Sequence, residues 1–116
     1  MNLEDVIQNE LASLGTEADR RRGFKDVVVQ LRDGTERVIR ISVIVQRFAE
    51  RAMQRYSASG NPMDLLPAMV ELSIAKEVLS QVAPIDLARL ANVAVALLMG
   101  PDRLREILTK QMGGLL

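Results

Sequence analysis

Arginine is the residue type whose spacing most invites a chemical reading. Arg20, Arg21 and Arg22 run together with Lys25 close behind, and Arg47, Arg51 and Arg55 recur at i, i+4 and i+8, which is one stripe of a helix. Such a set would form an electrostatic footprint for phosphates. Against that reading, the net charge is zero and no aromatic side chains interleave for stacking on single strands. A solvated or salt-bridged face accounts for the arginines with fewer assumptions. Residues 87–93 resemble the first helix of a helix-turn-helix only faintly, because residues 94–99 hold nothing that reads a base edge.

Other chemistries lack their usual groups. The chain has no histidine, the commonest general base and metal ligand, and no cysteine for a nucleophile, thiolate site or disulfide. Asp64, Glu71, Glu77 and Asp86 are spaced as helix caps and helix surface, not as a facing pair. Gly15, Gly23, Gly34, Gly60 and Gly100 stand singly, so no glycine-rich phosphate loop is formed. The expectation is a protein that is not an enzyme and takes no cofactor or metal.

The elements that would position these residues follow from periodicity. With 116 residues a single domain is expected, spanning 1–116. Hydrophobic residues reach 48% while aromatics stay at 3%, so the core must be aliphatic. Leu3, Val6, Ile7, Leu11 and Leu14 mark one helical face over residues 1–15, with Asn2 as N-cap and Gly15 as its end. Residues 16–25 have no apolar period and read as linker. Over 26–42 the alternation Val27, Val29, Leu31 resumes after Asp33-Gly34 as Arg37, Ile39, Ile41, which reads as a β-hairpin. A three-residue loop, Arg32-Asp33-Gly34, pairs Val27 with Ile39 and Val29 with Arg37 and keeps odd residues on one face. A two-residue Asp-Gly turn would scramble the faces.

Residues 43–112 read as a helical bundle. Ser42 is the expected cap of a helix to about Ser57, burying Val45, Phe48, Ala49, Ala52, Met53 and Tyr56. A second helix is expected from Asp64 to about Val82, a third over 84–99, and a last one after Gly100-Pro101. The fold class is thus mainly α with one β-hairpin, about five helices and a two-stranded antiparallel sheet.

Charge is uneven along the chain. Residues 1–19 carry five acids and no base, whereas 20–55 carry ten bases against four acids. The acidic start lacks the pattern of a signal peptide, and the longest uncharged apolar run, 90–100, is too short for a bilayer. A soluble, cytoplasmic protein with no membrane partner is expected.

Excess apolar surface is the remaining signal. The helix over 84–99 is apolar nearly all round, which places it at the centre of a core or beneath another chain. The partner-binding surface expected from this is Met69, Leu72, Leu87, Leu90, Val93, Leu97, Leu98 and Met99.

The run Val27-Val28-Val29-Gln30-Leu31-Arg32-Asp33-Gly34-Thr35-Glu36-Arg37-Val38-Ile39-Arg40-Ile41-Ser42, followed by aliphatic helices, resembles small bacteriophage tail assembly chaperones. The resemblance is one of pattern over residues 26–100, and it leaves the acidic first helix and the cluster Arg20, Arg21 and Arg22 outside. It implies a non-catalytic protein that covers apolar segments of a long tape-measure-like partner in the bacterial cytoplasm. The partner would be protein, either a second copy or a larger assembly protein. A small structural or adaptor subunit of a phage particle or other oligomer is the alternative, and a nucleic-acid binder using its arginines is the alternative of another class.

Overall fold

Asn2 opens helix α1 (Leu3–Leu14) by accepting the Asp5 N–H at 2.9 Å, and Ile7, Leu11 and Leu14 are its buried stripe. These positions belong to a computed structural model of the chain, which describes residues 2–69 and 75–113. The expected linker contains a helix, α2 (Glu17–Arg22). Periodicity was blind to it because six residues have no apolar stripe. What starts it is a capping box, in which Thr16 Oγ1 accepts the Asp19 N–H and Asp19 Oδ2 accepts the Thr16 N–H.

The hairpin of β1 (Phe24–Gln30) and β2 (Glu36–Ser42) has the expected register, with Val27 opposite Ile39 and Val29 opposite Arg37. Leu31 N–H donates to Thr35 O and Gly34 N–H to Leu31 O, so Arg32-Asp33-Gly34 is the loop. Gly34 has φ +91°, a conformation that a β-carbon disfavours. Asp33 secures the turn by accepting the Thr35 N–H and hydroxyl. Pairing claims Ser42 for β2, opposite Phe24, so it is not the cap of the next helix. That helix, α3 (Gln46–Ser59), begins four residues later after Val45, without a side-chain cap. Ala52 is its buried residue, Phe48, Ala49, Met53 and Tyr56 are half-buried, and Val45 is exposed.

Asn61, not Asp64, caps the following segment, accepting the Met63 N–H at 3.0 Å. A 3-10 turn (Pro62–Leu65) leads into α4 (Leu66–Met69), and α5 (Ala75–Gln81) follows. Whether one helix joins them falls on residues 70–74, outside the described residues. Helices α6 (Pro84–Met99) and α7 (Pro101–Gly113) match the expected bounds, broken at Gly100.

Helix α6 is the axis of the fold. It packs against α1, α2, both strands, the 3-10 turn, α4 and α7. Leu90, Ala91 and Val93 through Leu97 are all buried on it. Of the two roles open to an all-apolar helix, the fold takes the central one. Alanines let neighbours come close: a β-carbon built on Gly15 would lie 2.6 Å from Ala96 Cβ. Gly15 has φ 179°, so its value here is small size and not left-handed geometry.

Candidate protein-binding surface

The hairpin sorts its side chains by parity. Odd residues Val27, Val29, Ile39 and Ile41 face inward and are buried. Even residues face outward, and two of them are large and aliphatic: Val28 and Val38 stand directly opposite each other, 52% and 60% exposed. Beside this pair Asp26 accepts two hydrogen bonds from the Arg40 guanidinium, at 2.7 and 3.0 Å. The same guanidinium lies 4.3 Å from the centre of the Phe24 ring, with Arg22 over it at 5.6 Å. The Arg40 hydrogen bond holds the Asp26 carboxyl below the usual carboxylate range despite a small desolvation cost.

Among the described residues, three further large apolar side chains are exposed near the two ends of the strands. Ile44 and Val45 follow β2, and Ile85 opens α6 just before Asp86. The outward face of the hairpin is therefore an apolar centre flanked by a fixed ion pair. Both strands present it on a rigid base, because their other face is locked into the core.

The expected surface is largely elsewhere. Met69, Leu90, Val93 and Leu97 are at most 2% exposed and pack the chain's own core. Leu87, Leu98 and Met99 are half-buried against that core, with Leu98 at the floor of a groove beside Ala49 and Met53. Leu72 lies outside the described residues. The hairpin signal was present in the sequence, since Val28 and Val38 are apolar at even positions of an odd-inward alternation.

The arginines do not gather into one site. Arg20 faces Glu17 at 4.0 Å and packs against Gly100, and Arg22 bonds to Asp19. Arg21 is exposed. Arg47, Arg51 and Arg55 are exposed along α3 and make no ion pair among the described residues; Arg47 rests 5.1 Å from the Phe48 ring. The acidic first helix does not neutralise them: its Glu4 pairs with Arg105 of α7.

Carboxylates serve structure. Asp19, 6% exposed, is disfavoured as a charge by burial, but bonds from Thr16 and the Lys25 ammonium outweigh this and lower its pKa. Asp86 accepts the Gln30 N–H at 2.7 Å and pairs with Arg89 at 3.4 Å. No cluster of three potential metal-ligating side chains occurs among the described residues, and no helix among them is long and apolar enough to cross a membrane. Compared with known proteins, the chain matches no family model, no curated protein and no solved structure.

Proposed function

We propose that this chain is a non-catalytic protein-binding protein, an assembly chaperone of the kind found in phage tail formation, which docks apolar segments of a larger partner on the outward face of its hairpin. One observation carries the reading. Among the described residues, the large aliphatic side chains left exposed lie on and around the hairpin, while Leu90, Ala91 and Val93 through Leu97 of the apolar helix α6 are buried in the chain's own core. A side chain as large as Val38, held 60% exposed on a rigid strand, contributes more when a partner covers it. The matching client is an amphipathic helix laying an apolar stripe across Val28 and Val38.

The test is suppression of aggregation. An aggregation-prone, tape-measure-like helical polypeptide is mixed with the chain and light scattering is followed. Stoichiometric protection by the parent protein and its loss in Val28→Lys/Val38→Lys support the reading. Absence of protection and of binding by the folded parent sinks it.

A further inference from the structure

A two-stranded sheet has two free edges, and this one treats them differently. Along the half of β1 that leads into the turn, the edge is occupied. Gln30 N–H donates to Asp86, Ala83 N–H donates to Gln30 O at 2.9 Å, Arg32 N–H donates to Gln81 O at 2.7 Å, and Arg89 donates to Val28 O. A short bridge between Leu31 and Val82 completes the seal.

Along β2 the parity of the rungs decides which groups look outward. The end rungs, Leu31 N–H to Thr35 O at 2.7 Å and Val43 N–H to Gly23 O at 2.8 Å, both join odd residues. The main-chain groups of even residues on β2 therefore point away from β1. At Glu36 and Val38 nothing among the described residues bonds to them. Natural edge strands are usually protected by proline, a bulge or an inward-pointing charge. Over its seven residues β2 has neither proline nor bulge; on its inward face Ile39 and Ile41 are buried aliphatics, and the one charged residue of that parity, Arg37, lies exposed beside the turn instead of under the core.

We propose that the chain forms a two-fold dimer by antiparallel pairing of β2 with β2 of a second copy, centred on Val38, giving a four-stranded sheet. The strand's own sequence selects this occupant and this register. Only even residues offer outward bonds, so even must face even. Centring on Arg40 would set like charges against each other at the axis, and centring on Ile39 would put Val38 beside Arg40. Centring on Val38 instead sets Val38 against Val38 and places Glu36 of each copy beside Arg40 of the other. Each Arg40, already held by Asp26, gains a second carboxylate, in a row that runs Asp26, Arg40, Glu36, Gln30 across the four strands. The next row is Val28, Val38, Val38, Val28, an unbroken apolar stripe. This inference goes beyond client binding, since it uses the backbone edge and stands whatever the face binds.

The absence of native cysteine makes cross-linking the sharpest test. In the proposed dimer the two copies of Val38 are about 5.5 Å apart at Cα, within disulfide reach. The two copies of Val28 are three strand spacings apart, about 14 Å, which is out of reach. Val38→Cys is expected to oxidise to a covalent dimer at micromolar concentration, and Val28→Cys to form no disulfide-linked dimer under the same conditions. Sedimentation equilibrium is the companion measurement. Glu36→Arg, an exposed substitution, should weaken the parent dimer about tenfold by setting arginine beside arginine twice. Val38→Pro should abolish it, since it removes an outward N–H the hairpin itself does not use. A monomeric parent overturns the proposal, as does equal cross-linking at both positions or a dimer unmoved by Glu36→Arg.

Discussion

Helix α6 and the hairpin are both rich in aliphatic side chains, yet they place them in opposite ways. The helix carries them round its whole circumference, and the fold surrounds it with neighbours until Leu90, Val93 and Val95 are inaccessible. The hairpin carries them on alternate positions, buries the odd set, and holds Val28 and Val38 out in solvent. Apolarity alone therefore does not mark a binding surface. A side chain contributes to binding only if intramolecular packing has left it uncovered, and on a strand with one face in the core the other face has no internal neighbour.

The contrast breaks most visibly at Leu90. Leu90→Ala should cost about 3 kcal/mol in urea unfolding, because a fully buried side chain is replaced by a cavity. If α6 were instead an interface helix, the monomer would barely register the change. Gly15→Ala should cost about 2 kcal/mol, since its β-carbon would overlap Ala96 Cβ and the packed helix cannot easily retreat. Ala96→Gly in the same chain should recover part of that loss, leaving the two changes clearly non-additive.

Asp19 sharpens the comparison at the base of the hairpin, where it joins α2 to Lys25 of β1. Asp19→Asn should cost about 1 kcal/mol at neutral pH. Folding lowers this carboxyl's pKa, so its contribution is complete above the unfolded value of about 3.9 and is lost as pH falls through the lower folded value. The stability gap between parent and variant should accordingly close in acid, and a gap that widens there would contradict the assignment.

Smaller still is the expected effect at the outer face. Val28→Thr/Val38→Thr should change stability by less than about 0.5 kcal/mol while removing client protection, because the pair faces solvent and threonine keeps its β-branched cross-strand contact. A loss comparable to that of Leu90→Ala would show the face to be core. Least of all should follow from Arg47→Gln/Arg51→Gln/Arg55→Gln, a change near zero in stability, since these side chains are exposed and without ion pairs among the described residues. Duplex DNA binding by the parent at low salt is expected to be micromolar or weaker, on the order of non-specific contacts. Nanomolar affinity abolished in the triple variant would move the binding surface from the hairpin to α3.

How far the fold was legible depended on whether a signal was local. Alternation about Asp33-Gly34 determined the hairpin, its loop and its register, because side-chain parity and turn geometry both act within a few residues. Pro84, Gly100 and Pro101 likewise set the ends of α6 and α7 through their own backbone restrictions. Helix α2 escaped a search for apolar periods, although its capping box was written in Thr16 and Asp19. Ser42 was claimed by strand pairing with Phe24, a partner eighteen residues away in sequence, before it could cap a helix. Composition could say that α6 must be covered, but which atoms cover it is a property of the assembled packing. The same holds for Gly15, whose need to be small arises from Ala96 across the core. It holds again for the two edges of the sheet, where residues 81–89 fold back to seal β1 and leave Glu36 and Val38 of β2 facing outward. Local chemistry wrote the elements, and long-range packing chose which of their apolar faces remained available to another molecule.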